Sequence, residues 1–154
     1  MRWFTHLSFG LLLFLILSKL FGISGGLVAL VVCALASILP DIDEPKSKIG
    51  KKVWPISAII KLLLKHRGLM HSLAMLIFLS AICFLVSSSI AFWFAVGYTS
   101  HLILDSFTPS GIAWLAPLSK RRLRAGIKTG GILEKIVLVL VWIIIIIILL
   151  KQKF

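Results

Sequence analysis

The chain has 154 residues, 60% of them hydrophobic and only 14% charged, with a net charge of +12 from 17 Lys and Arg against five Asp and Glu. Soluble domains are about 25% charged, so an ordinary soluble globular protein and a disordered chain are both excluded. Two cysteines, Cys33 and Cys83, sit inside apolar runs and exclude a disulfide scaffold. The composition is that of a small polytopic membrane protein, all-α, forming a single membrane-embedded domain over residues 1–154. The basic residues flank the apolar runs, which makes them a topology signal attracted to anionic lipid; nucleic-acid binding is not expected.

In chain order, the first apolar block runs from Leu7 to Leu39 and is broken by Gly22, Ser24, Gly25 and Gly26. One helix of that length overshoots a hydrocarbon core of about 30 Å. Two helices are therefore expected, over 4–21 and 25–39, the second ended by Pro40. His6 at the entrance and the lack of a clear small-residue cleavage site argue against a signal peptide. A polar loop follows over 40–53, and then Trp54–Lys65, too short to span, reads as an interfacial or re-entrant helix. A third span is expected over 69–87, a fourth over 90–107 and, after a basic loop, a fifth over 132–150. Residues 46–67 carry seven Lys and Arg and residues 120–128 carry five. In a five-span topology both fall on the side of Arg2, so that side and the N-terminus are expected to be cytoplasmic.

The histidines and acids gather at one end of every expected span: His6, then Asp41, Asp43 and Glu44, then His66 and His71, then His101 and Asp105, then Glu134. Alternating topology puts all five ends in the same cytoplasmic layer. Ionisable groups within spans cost roughly 2.5–3.5 kcal/mol each even on forgiving insertion scales, and they face a polar cavity or one another. Imidazoles with carboxylates are the ligand set of zinc, or of manganese or iron where oxygen dominates, with room for one or two ions. His101 and Asp105, at i and i+4, share one helix face. Blander readings stand beside these. His6 suits an interfacial position, Asp41 and Asp43 suit a loop rich in lysine, and Glu134 suits a helix dipole without any ligand role. Arg67, between two histidines, suits a phosphate or carboxylate clamp or a simple topology charge.

Thr5-His6, Leu39-Pro40-Asp41-Ile42-Asp43, His66-Arg67-Gly68-x-x-His71-Ser72 and Gly97-Tyr98-x-Ser100-His101-x-x-x-Asp105-x-x-Thr108-x-x-Gly111 resemble the YdjM-like, LexA-regulated, inner-membrane metal-dependent hydrolases. The order of these motifs is also loosely similar to that of zinc-dependent phospholipase C-like proteins. The resemblance implies that His6, Asp41, Asp43, His66, His71, His101 and Asp105 are metal or catalytic residues. The expected activity is metal-dependent hydrolysis of a phosphoester in a lipid or lipid-linked substrate. His71, His101, Asp105 and Asp41 are the leading ligands, with His6, Asp43 and Glu134 as further candidates. His66 is the expected general acid/base and Arg67 the expected phosphate contact. The competing expectation is a metal-binding or metal-transporting protein without hydrolase activity. A zincin-type protease is excluded by the absence of His-Glu-x-x-His.

Overall fold

The computed structural model describes residues 1–23, 25–43, 50, 52, 54, 55 and 68–151. Among these the architecture is all-α: α1 (Trp3–Phe21), α2 (Gly26–Ala36), α3 (Leu73–Phe84), α4 (Ser88–Ser106) and α5 (Ile132–Leu150), with 3-10 turns over Leu39–Asp43 and Leu69–His71. The expected interfacial helix, Glu44, His66 and Arg67 lie outside the described residues, apart from Trp54 and Pro55 of that helix.

Each boundary has a local cause. Gly22 takes a left-handed conformation, φ 63°, and ends α1. Helix α2 stops at Ala36, three residues earlier than expected, and Pro40 sits inside the following 3-10 turn. Proline is tolerated in a first turn because no N–H is asked of it there. The third apolar run is also shorter than expected. Ser72 is extended, and its hydroxyl accepts a hydrogen bond from Met75 N at 3.3 Å, so it caps α3 and leaves His71 in a separate turn.

Helix α4 is the centre of the bundle and packs against α1, α2 and α3, while α5 packs against α1. Gly97 makes the closest approach possible: a Cβ there would lie 2.1 Å from the Cys33 carbonyl oxygen of α2. Such small-residue contacts let helix backbones meet closely in a membrane. Three buried clusters follow from this arrangement. Ala36, Leu76, Phe94, Tyr98, Leu102 and Ile112 join α2, α3 and α4 to the loop beyond α4. Phe14, Ala29, Cys33 and Trp93 join α1, α2 and α4. Leu12, Val141 and Ile145 join α1 to α5.

Two helices, α1 and α5, are long and apolar enough to cross a membrane. Helices α2 and α3, with 11 and 12 residues, are about 17 and 18 Å long, short of a hydrocarbon core of about 30 Å. Thus length and hydropathy support two of the five expected spans. Most of α5 presents apolar side chains outward, with only Glu134, Val141 and Ile145 buried along it.

Candidate metal centre

Four segments deliver their polar side chains to one end of the bundle. The first turn of α1 brings His6, the turn after α2 brings Asp41 and Asp43, the turn before α3 brings His71, and the last two turns of α4 bring His101 and Asp105. His6, Asp43, His71, His101 and Asp105 are all buried. The rings of His6 and His101 stack with centroids 3.9 Å apart, and those of His71 and His101 meet edge-on at 5.2 Å.

The hydrogen bonds decide which ring nitrogens can act as donors to an ion. His101 Nδ1 is 2.8 Å from the Ser37 carbonyl oxygen. A carbonyl only accepts, so Nδ1 carries the proton and Nε2 keeps its lone pair. His71 Nδ1 faces Asp43 Oδ2 at 3.5 Å, and a carboxylate likewise favours the proton on that nitrogen. The Nε2 atoms of His71 and His101 then confront each other at 3.3 Å, each 3.7 Å from Asp105 Oδ2. Three lone-pair donors aimed at one point repel one another unless a cation lies between them. Metal–nitrogen bonds of about 2.0–2.1 Å at the tetrahedral angle separate adjacent donors by about 3.3 Å, which is the spacing found between the imidazoles. A proton shared by the two rings would instead turn a bare His71 Nδ1 toward the Asp43 carboxylate.

Among the described residues two sets have donor atoms all within 4.8 Å of one another: His71, His101 and Asp105, and His6, Asp41 and His101. They share His101, and Asp41 Oδ1 is 3.9 Å from its Nε2. His6 is buried with no hydrogen-bond partner at either nitrogen, its Nε2 3.3 Å from Asp105 Oδ1. An imidazole stripped of water, with one carboxylate near Nε2 and nothing at Nδ1, is placed to ligate an ion. The donor set therefore fits a divalent ion held mainly by nitrogen with carboxylate support. Burial pushes the Asp41 carboxyl above the usual carboxylate range, opposed by the nearby His6 and His71 imidazoles. The α-amino group of Met1 lies 2.6 Å from Asp105 Oδ1, opposite the oxygen that faces the two histidines.

Glu134 belongs elsewhere. Its carboxylate accepts from Arg2 N at 2.6 Å, from the Thr5 hydroxyl at 2.8 Å and from Gly130 N. These bonds tie the start of α1 to the start of α5, and Glu134 is in neither donor set. Asp43, read in sequence as a ligand or a reacting group, stands behind His71 and orients it, as outer carboxylates do for ligating imidazoles. Supporting residues of the Gly97 to Gly111 motif, to which the sequence assigned no role, gain one from their hydrogen bonds. The Tyr98 hydroxyl donates to the Met70 carbonyl and so holds the His71 turn against α4. Thr108 donates to the Asp105 carbonyl at 2.8 Å and accepts from Gly111 N at 3.3 Å, fixing the chain as it leaves α4.

The chain matches the YdjM inner membrane protein family over residues 1–153. It belongs to that family. It is 35% identical to the uncharacterized protein YvsG of Bacillus subtilis (strain 168) over 108 residues, 68% of each chain. It is 36% identical over 90 residues to the inner membrane protein YdjM of Escherichia coli (strain K12), covering 54% of this chain and 46% of that one. The YdjM of Shigella flexneri matches to the same extent. The matched segment thus spans about half the length of these YdjM proteins. No solved structure matches. Membership makes the chain a membrane protein. The names of its relatives carry no activity, no regulation by LexA and no likeness to phospholipase C-like proteins.

Proposed function

We propose that the chain is a multi-pass, membrane-embedded, metal-dependent hydrolase that cleaves a phosphoester of a lipid or lipid-linked substrate. The basic segments 46–67 and 120–128 favour a cytoplasmic position for the site and the N-terminus. The observation that carries the reading is the approach of the His71 and His101 Nε2 atoms to 3.3 Å, each 3.7 Å from Asp105 Oδ2. His71, His101 and Asp105 would hold the ion, with Asp41 and His6 completing the shell or holding a second one. A bound zinc, manganese or iron ion would supply Lewis acidity and an activated water near neutral pH.

The chain's own residues do the rest. The Ser37 carbonyl holds the His101 tautomer, and the Asp43 carboxylate, 3.5 Å from His71 Nδ1, favours a proton there. His6, buried 3.3 Å from Asp105 Oδ1 and stacked on His101, would complete the donor set. His66 and Arg67, five and four positions before His71, are assigned by sequence to the leaving group and the phosphate. A site at one end of the bundle suits a substrate whose tail stays in the bilayer while its headgroup reaches the donors.

The test is metal analysis of the purified protein followed by a panel of phospholipids and soluble phosphoesters. Metal with lipid phosphoester turnover supports the reading. Metal with no turnover on any substrate favours a binding or transport role, which uptake into proteoliposomes measures directly. His66→Ala and Arg67→Ala are expected to keep the metal and to lower turnover, by roughly 100-fold or more for the general acid/base.

A further inference from the structure

The loop between α4 and α5 builds a second feature outside the metal centre. An antiparallel bridge joins Ile112 to Leu123, each accepting the other's backbone N–H, at 3.0 and 2.9 Å. Gly111 permits the fold-back: its φ is +55°, and a Cβ there would lie 2.2 Å from the Leu123 carbonyl oxygen. Beside the bridge lies an open surface pocket of about 500 Å³ lined by Trp114, Leu115, Ser119, Arg121, Arg122 and Leu123. That volume lies in the range of small-molecule sites, about 300–1,000 Å³. The lining is mostly apolar, with Arg121 and Arg122 of the basic loop contributing to it.

Position and charge say what the cavity suits. Its floor is tied to the metal centre: the Trp114 carbonyl accepts from Leu73 N at 2.8 Å, two residues beyond His71, and the Trp114 indole N–H donates to the Ser106 hydroxyl at 2.8 Å, next to Asp105. Arg122 Nη1 donates to the Ser110 carbonyl at 3.3 Å, which leaves the other donors of that guanidinium available. The cations of this loop have no carboxylate partner among the described residues. Around the mouth Leu115, Leu118 and Leu123 are exposed, Leu118 at 93%. Apolar side chains beside two arginines match a ligand with a phosphate head and an acyl tail.

We infer that this cavity is a binding site for the phosphate-bearing headgroup of an anionic membrane lipid, gripped by Arg121 and Arg122 while the tail lies along the exposed leucines. As a substrate subsite it rests on the hydrolase reading; as a binding site it does not.

The experiment is native mass spectrometry of the full-length protein in detergent, titrated with phosphatidylglycerol and, separately, with phosphatidylcholine. Arg121→Gln/Arg122→Gln is compared with Arg124→Gln/Lys128→Gln, which removes the same charge from the same loop outside the cavity. Bulk attraction to anionic lipid falls equally in both. The expected result is a loss of phosphatidylglycerol affinity at least about tenfold greater in the cavity variant, with phosphatidylcholine binding unchanged. Equal losses, or no loss, overturn the inference. So does full displacement of phosphatidylglycerol by millimolar inorganic phosphate, which marks a free-phosphate site. If the Gln variant fails to fold, Arg121→Lys/Arg122→Lys keeps the charge and removes the planar fork; wild-type affinity in that variant also overturns the inference. Binding is read without turnover. An inert protein that still selects the lipid therefore defeats the hydrolase reading alone, and an active one without selectivity defeats only the cavity.

Discussion

Helices α4 and α5 have 19 residues each, yet they are built on opposite logics. Helix α4 carries Ser, Tyr, His and Asp and buries ten residues, those four types among them. Helix α5 is almost wholly aliphatic and buries three, one of which is Glu134. In water the more apolar helix would form the core; here it faces outward, because lipid tails solvate isoleucine as well as a protein interior does. Polar side chains therefore mark the inside of this molecule, and the most polar part of the inside is the candidate metal centre.

The largest effect that can break this comparison lies in the donor set of α4. Asp105→Ala is expected to abolish stoichiometric metal binding while α1 and α5 remain inserted, since alanine is well tolerated in a helix. Retained metal would reduce the His101–Asp105 face to packing. Next comes the contact that makes α4 central. Gly97→Val drives a side chain into the Cys33 carbonyl and is expected to cost about 3 kcal/mol or more, read as a lowered unfolding midpoint in mild detergent.

A smaller effect separates orientation from ligation. Asp43→Asn keeps the shape beside His71 and removes the charge that favours its tautomer. Metal affinity is expected to fall by about 10- to 100-fold, measured by competition with a chelator, while metal still saturates the site. Complete loss of metal would make Asp43 a ligand. The smallest effects lie on α5. Ile145 is 1% exposed and Ile146 is 51% exposed. Ile145→Ala is expected to cost about 2 kcal/mol, whereas Ile146→Ala should stay within about 0.5 kcal/mol. Equal costs in unfolding measurements would mean that α5 has another protein partner on its outer face.

The polar layer was legible in the sequence because the histidines and acids recur at the ends of successive apolar runs. His6, Asp41, His71, His101 and Asp105 converge as their places along the chain imply. Glu134 shares that end of the bundle, but span order cannot tell a ligand from a carboxylate that anchors a neighbouring helix through Arg2, Thr5 and Gly130. The tautomer of His101 was not legible at all, because its partner is the carbonyl of Ser37 and every residue has a carbonyl. Hydropathy also could not separate the His71 turn from α3. The run from Leu69 to Phe84 is nearly uniformly apolar, and only the cap made by Ser72 divides it.

The centre itself is tested most directly by elemental analysis and X-ray absorption on unmodified protein, purified without chelators and dialysed to constant composition. The account predicts at least one tightly held divalent ion per chain, with two imidazole nitrogens at about 2.0–2.1 Å if the ion is zinc. A folded protein that holds no metal, even after incubation with zinc, manganese and iron(II), would contradict it.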